Sequence, residues 1–163
     1  MRFDVYRYKS PWGALYCVFD GPFLAELAIK ERPLSLETSP LSSIPPLTGP
    51  FAVELDRYFE GTLERFSQRV KLVMGTPFEQ RVWRALGRIP YGETRSYKWI
   101  AEQAGSPAGF RAAGQALGKN PLPIIVPCHR VVAADGSVGG FSCGIEVKQW
   151  LLEHEKTSKK QEF

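Results

Sequence analysis

The run Pro123-Ile124-Ile125-Val126-Pro127-Cys128-His129-Arg130-Val131-Val132 limits what this chain can become more than any other stretch. Pro127 has no N–H and clashes with a preceding helical turn, so Cys128 cannot lie in a helix interior. Residues that precede a proline are pushed toward extended geometry. The run therefore reads as a buried extended segment that delivers Cys128 at a sharp turn. His129, one of two histidines in the chain, follows at once. A thiol is a nucleophile only as thiolate, and a neighbouring imidazole commonly takes its proton. Adjacent side chains do not face each other, so the expected link between Cys128 and His129 is a water. A buried cysteine beside a surface histidine has the same dipeptide, and the rest of the chain must separate the two readings.

At 163 residues the chain can hold one large domain or two small ones. No apolar run reaches membrane-span length, and Met1-Arg2-Phe3-Asp4-Val5 lacks the apolar core of a signal peptide. A cytoplasmic chain with no membrane partner is expected. Cys17, Cys128 and Cys143 form an odd set without a disulfide rhythm, which fits a reducing compartment. With His129 and His154 they show no CxxC or HxxxH spacing, so no metal is expected. There is no GxGxxG and no P-loop lysine pattern, which argues against a nucleotide cofactor. The net charge is +4; residues 1–75 balance nine Lys/Arg against nine Asp/Glu, so the basic excess lies in the half that holds Cys128. That bias permits an anionic partner.

Residues 2–9, 14–19 and 23–30 read as three strands of an antiparallel meander, joined by turns at Ser10-Pro11-Trp12-Gly13 and Asp20-Gly21-Pro22. A loop covers 31–49. A helix follows over 50–60, with Phe51, Leu55, Tyr58 and Phe59 inward and Gly61 as its stop. Residues 67–73 read as another strand. Met74-Gly75 marks a boundary between domains at 1–75 and 76–155. Thr76-Pro77-Phe78-Glu79 is a helix start, with Phe78, Val82, Ala85, Leu86 and Ile89 as the apolar stripe and Pro90-Tyr91-Gly92 as the end.

Ser96 caps a second helix over 97–104, closed by Gly105, and Ser106-Pro107 starts a third that runs to about Gly118. This matches a helix-turn-helix pattern. The third helix carries Ala108, Gly109, Ala112, Ala113, Ala116 and Gly118, and each internal glycine costs about 1 kcal/mol relative to alanine. Close approach of another backbone accounts for such a cost. Two readings stand level: a partner meets this surface with Arg111 rising from it, or another helix packs there and Arg111 is a solvated charge. Gly139-Gly140-Phe141-Ser142-Cys143-Gly144 is a loop suited to close approach of a ligand. The last helix covers about 145–155, with Val147, Trp150, Leu151 and Leu152 inward. His154 and Glu155 lie roughly 40° and 60° from the centre of that stripe, and periodicity does not choose between them. A half-buried Glu155 needs a partner, for which His129 is a candidate; a frayed, solvated helix end is the alternative.

Taken together, these residues resemble the O6-alkylguanine-DNA alkyltransferases, also called methylated-DNA–protein-cysteine methyltransferases. Pro127-Cys128-His129-Arg130-Val131 matches the family's active-site motif. Ser96-Tyr97, Arg111, Asn120-Pro121, Ser142 and Trp150-Leu151-Leu152-Glu153-His154-Glu155 fall in family order around it. The resemblance is strong over 76–155 and weaker over 1–75. It implies an α+β fold: a ribonuclease-H-like antiparallel-sheet domain at 1–75, a mainly α-helical helix-turn-helix domain at 76–155, and a basic tail at 156–163. Some relatives bind zinc in the first domain, but this chain lacks the histidines and cysteines for it.

The implied activity is direct reversal of DNA damage without a cofactor. A monomer binds double-stranded DNA in the minor groove and flips out an O6-alkylguanine, or an O4-alkylthymine. The alkyl group moves irreversibly to Cys128, once per molecule. Implied catalytic residues are Cys128, His129 acting through water, Glu155 orienting His129, Tyr97 donating to the guanine ring N3, and Asn120 bracing the turn. Arg111 fills the gap left by the base, and Tyr97, Ala112, Gly114, Lys119 and Arg130 complete the DNA-binding set. Pro123, Val131, Ser142 and Cys143 line the base pocket, Cys143 standing where relatives often have glycine. Two other classes remain open: a Cys-His hydrolase with many turnovers, and a helix-turn-helix regulator that leaves Cys128-His129 unexplained.

Overall fold

A computed structural model describes residues 3–29, 34–36, 43–137 and 143–160. The chain divides into two compact units, Met1–Val73 and Met74–Phe163.

The first unit is built on an antiparallel sheet in the order β1 (Asp4–Ser10), β2 (Gly13–Asp20), β3 (Phe23–Ile29). Its register pairs Val5 with Val18 and Cys17 with Leu27, with a bulge between Val18 and Phe19. Leu15, Cys17, Val18, Leu24 and Leu27 are buried along it. Helix α1 (Pro50–Glu60) brings Phe51, Leu55 and Tyr58 to the same core, and Phe51 meets Phe19 edge-on at 6.1 Å. Gly61 ends α1 in the left-handed region at φ 82°; its N–H donates to Tyr58 O and that of Thr62 to Arg57 O, a Schellman closure. The strand expected at 67–73 is reduced to a single bridge, Leu24 with Val70, held by Leu24 N–H to Arg69 O and Lys71 N–H to Leu24 O. A matching bridge, Arg7 with Pro46, covers the other edge. Each outer strand thus carries a short cover, which blunts the open edges of a three-stranded sheet.

The second unit starts at a capping box. Thr76 Oγ1 accepts from Glu79 N–H at 3.1 Å, and Glu79 Oε1 accepts from Thr76 N–H at 2.8 Å. Such a cap is worth about 1 kcal/mol. Helix α2 (Pro77–Leu86) follows, shorter than its apolar stripe, with Ile89 buried in the turn beyond it. Trp83 is the anchor: it is buried and its Nε1–H donates to Ala116 O at 2.8 Å. Gly75 lies against its ring at φ 93°, where a Cβ would come 2.4 Å from Trp83.

Helix α3 (Tyr97–Gln103) is capped by Ser96, whose hydroxyl accepts from Trp99 N–H. It also ends in a Schellman closure, with Gly105 at φ 81°. Helix α4 (Phe110–Gly118) begins three residues later than Ser106-Pro107 suggested. The reason is local: Gly109 N–H donates to Ser106 O at 2.8 Å, closing a turn with Pro107 at its second position, and only then does Ala113 N–H bond to Gly109 O. Two-residue strands β4 (Arg95–Ser96) and β5 (Val131–Val132) pair in parallel and tie the start of α3 to the residues after Cys128. Helix α5 (Ile145–Lys160) runs past the expected end and buries Val147, Lys148, Leu151 and Glu155 on one face.

Candidate active site

Cys128 is delivered by a succession of tight turns, not by the extended segment expected. Val126 N–H donates to Leu122 O at 2.8 Å. Ile124 has φ 76° and is the only non-glycine residue with positive φ among those described. Pro127, at φ −81° and ψ 67°, sits at the centre of an inverse γ-turn closed by Cys128 N–H to Val126 O at 2.8 Å. A single 3-10 turn, Cys128–Arg130, follows. Asn120 sets this path. Its Nδ2 donates to Val126 O at 2.8 Å and its Oδ1 accepts from Leu122 N–H at 2.9 Å, all out of solvent. A side chain that offers the backbone these partners competes with strand pairing. The left-handed isoleucine costs on the order of 1–2 kcal/mol and persists because Ile124 is itself buried.

Behind the thiol lies a charge network. His129 is fully buried, and its Nε2 is 2.6 Å from Glu155 Oε2. Arg130 donates to both carboxylate oxygens, Nε to Oε1 at 2.8 Å and a terminal nitrogen to Oε2 at 3.1 Å, and to Ile89 O at 2.7 Å. Gly92 N–H adds a contact to Oε1 at 3.2 Å. Arg130 was expected on the DNA-binding surface. It is instead 7 % exposed, because its permanent charge neutralises a buried carboxylate. Glu155, not His154, is the inward residue of its pair; His154 stacks on Trp150 with ring centroids 4.5 Å apart.

Burial alone would raise the Glu155 pKa, but His129 and Arg130 outweigh it and hold the carboxylate well below its ordinary range. A carboxylate only accepts, so His129 Nε2 carries the proton and Nδ1 the lone pair. Nδ1 is buried with no hydrogen-bond partner among the described residues. Burial lowers the His129 pKa; Glu155 pulls it up and Arg130 pushes it down again. With Glu155 already matched by Arg130, the imidazole rests neutral and is a base.

Cys128 is buried, which pushes its thiol up to about 12. A hydrogen bond with Asn120 and the charge of Lys148 act the other way, while Cys143 adds to the rise. Lys148 is 1 % exposed, and burial lowers its own pKa. Sequence reading missed Lys148 and the inward role of Arg130. The available signal for Lys148 was its spacing: seven residues before Glu155 is two helical turns, hence the same face. Tyr97 is half-buried, with its pKa raised by burial and by the charge of Cys128. Pro123 and Val131 are buried beside the cysteine turn. Cys143 is half-buried, and Ser142 falls outside the described residues.

Helix α4 splits the two readings of its small residues. Ala113 and Ala116 are buried against the rest of the unit, while Arg111 and Ala112 face solvent. Gly114 is half-buried, and a Cβ there would stand 3.8 Å from the Tyr97 ring. Lys119 is exposed at 68 % and pairs loosely with Glu79 at 3.3 Å.

Comparison with known proteins points one way. The family described as 6-O-methylguanine DNA methyltransferase, DNA binding domain, matches residues 77–157. The methylated-DNA--protein-cysteine methyltransferase of Mycobacterium leprae (strain TN) is 46 % identical over 150 residues, 90 % of this chain and 88 % of that protein. The protein of that name from Mycobacterium tuberculosis (strain CDC 1551 / Oshkosh) is 44 % identical over 148 residues, covering 91 % and 89 %. The crystal structure of Mycobacterium tuberculosis OGT in complex with DNA superposes with a TM-score of 0.81 at 42 % identity, covering 97 % of this chain and 94 % of that one.

Proposed function

The chain belongs to the methylated-DNA–protein-cysteine methyltransferases, and on that premise we propose how its residues divide the work of repair. The protein binds DNA and reverses guanine O6 methylation directly by transfer to a cysteine of its own. Cys128 is the acceptor. Its Sγ attacks the alkyl carbon in line with the bond to O6; the S–C bond forms, the C–O bond breaks, and the electron pair stays on the guanine. Tyr97 donates toward the ring N3 and offsets that charge. The thiol proton passes through a water to His129 Nδ1; guanine takes one proton at N3 from Tyr97, and the proton held by the imidazolium restores the tyrosine through solvent, so charge balances. Glu155 and Arg130 hold the histidine in the tautomer this step needs.

One observation carries the assignment: a buried histidine next to the cysteine, fixed through Nε2 to Glu155, presents a Nδ1 that no described residue uses. With the thiol near 12, thiolate is negligible at neutral pH, so a base at hand is required. Asn120 braces the turn, Pro123 and Val131 wall the pocket, Cys143 reaches its rim, and Ser142 is assigned to the base edge by the family resemblance alone. Helices α3 and α4, joined by the tight turn at Gly105, support a helix-turn-helix that enters the minor groove with Arg111, Ala112, Gly114 and Lys119 foremost. The meander and α1 support a ribonuclease-H-like supporting domain at 1–75; 76–155 acts on DNA, and 156–163 is a basic tail. The protein works as a cytoplasmic monomer, takes O4-alkylthymine as a second substrate, and acts once, since no residue regenerates the thiol. The relatives compared above carry the methyltransferase name, which favours this reading over a hydrolase or a transcriptional regulator.

Incubation with duplex DNA containing O6-methylguanine, followed by intact-mass measurement, tests this. The expected result is one added methyl group per protein, on the peptide that holds Cys128. Product in molar excess over protein would refute single turnover. Cys128→Ala should accept nothing and still bind the duplex.

A further inference from the structure

Among the described residues, four large apolar side chains stand in solvent: Val53, Val70, Phe110 and Ile145. Phe110 is the only aromatic of the four, and 53 % of it is exposed. A single exposed apolar residue is ordinary on a protein surface, so its position has to carry the argument. At 100° per residue, Phe110 lies about 40° around α4 from Gly114 and about 100° from Arg111. Gly114 abuts the Tyr97 ring, and Ala113 and Leu117 hold the buried face. The ring of Phe110 therefore projects at the first turn of α4, on the side that turns toward Tyr97. Its mount is firm: the Ser106–Gly109 turn is closed by a 2.8 Å hydrogen bond, and a Cβ on Gly109 would come 2.6 Å from Ser106 Oγ. Around it α4 offers the small residues Ala112, Gly114 and Gly118, with Arg111 and the exposed Gln115 as its polar projections, so the ring is the large apolar group that α4 holds out to solvent.

We propose that Phe110 is a wedge that enters the minor groove beside Arg111 and unstacks the base step next to the extruded nucleotide. This rests on α4 being the DNA-facing helix. An uncharged ring gains nothing from phosphates or water and gains most against a base face. Minor-groove proteins use phenylalanine in this way to part base steps and kink the duplex. Stacking on a base is tolerant of sequence because every base has a π-face, which suits a repair protein that must act wherever a lesion falls. Arg111 would fill the vacated position while Phe110 holds the neighbouring step open, so the two act on adjacent layers of the stack.

The test is a 2-aminopurine placed beside the lesion, read with Cys128→Ala protein so that no transfer occurs. Binding should raise its fluorescence, and Phe110→Ala should abolish the rise. In protein with Cys128 intact, Phe110→Ala should slow duplex repair roughly tenfold more than it slows reaction with free O6-benzylguanine, a factor within the worth of one base–aromatic stack. Phe110→Leu, still an apolar wedge, should recover most of the rate. Arg111→Ala separates the two levels of the argument. If it slows duplex and free base alike, and Phe110→Ala does too, α4 is not the DNA-facing helix and both readings fall. If Arg111→Ala is duplex-selective while Phe110→Ala leaves fluorescence and duplex rate as in the parent, the wedge alone is refuted. A Phe110-dependent dimer by sedimentation, with unaltered 2-aminopurine response, would assign the ring to self-contact and overturn the proposal.

Discussion

Replacing Arg130 by methionine should invert the way this protein's stability depends on pH. The guanidinium makes two contacts to Glu155, at 2.8 and 3.1 Å, and one to Ile89 O at 2.7 Å. Arg130 is 7 % exposed and Glu155 1 %. Removing one member of a buried ion pair costs about 3–5 kcal/mol, because the other charge is stranded. Here His129 and Gly92 remain on Glu155, so the expected loss is about 3 kcal/mol, the low end of that range. That corresponds to a fall in urea midpoint on the order of 1–2 M. In the parent protein, the folded His129 binds its proton less readily than the unfolded one. Its share of stability is present above the unfolded value of about 6.5 and is lost as pH falls below it. Glu155, whose folded pKa is depressed, adds a share present above the unfolded carboxylate value and lost in acid. Without Arg130, the carboxylate charge falls wholly on His129 and raises its pKa above the unfolded value. That share is then present at low pH and lost as pH rises. Urea denaturation at roughly pH 5.5 and pH 8 should show the parent gaining stability with pH and Arg130→Met losing it. The acid limb of the single-turnover rate should move toward higher pH in the variant, and Arg130→Lys should hold it near the parental position. Parallel pH dependence of parent and Arg130→Met in both measurements would refute the claim that Arg130 keeps His129 neutral.

Arg111→Ala should slow repair in duplex DNA far more than reaction with free alkylguanine, because only the duplex requires a base to be extruded at a cost of a few kcal/mol; equal slowing on both substrates would end that role. Cys143→Gly should react faster with O6-benzylguanine and about equally with O6-methylguanine, since the lost thiomethyl group opens the pocket rim only for a large substituent. Mild peroxide should inactivate the parent reversibly through a Cys128–Cys143 disulfide, two thiols giving up two hydrogens to the peroxide, provided the Cα atoms lie within about 7 Å. Benzylguanine rates that match between parent and variant, before and after peroxide, would leave Cys143 without either role.

What the sequence made legible follows the range over which each feature is decided. The capping box at Thr76 and the stops at Gly61 and Gly105 lie within a few residues of their partners, and all three form as read. The path through 122–128 was misread as extended because an asparagine side chain, not local propensity, bends it. Residues 67–73 have strand character, but only Val70 finds a bridge. Arg130 illustrates the harder limit. Beside a reactive cysteine its charge looks available to DNA, and only folding reveals a carboxylate 25 positions further on that claims it. Lys148 is hidden in the same way, a charged residue that shares its buried helix face with Val147, Leu151 and Glu155. The β4–β5 pair, two residues on each side, is too short for any periodicity to announce.

The depth at which Cys128 sits also governs how long an unused copy stays fit for service. A thiol held near 12 is a poor target for soluble alkylating agents, which react with thiolate in proportion to its abundance. Under the single turnover proposed above, a stray reaction is final, so burial is a preservative as much as a pocket wall. Ageing of the resting protein is then timed by how often the turn around Asn120 opens to water, a local unfolding free energy, more than by the dose of reagent outside.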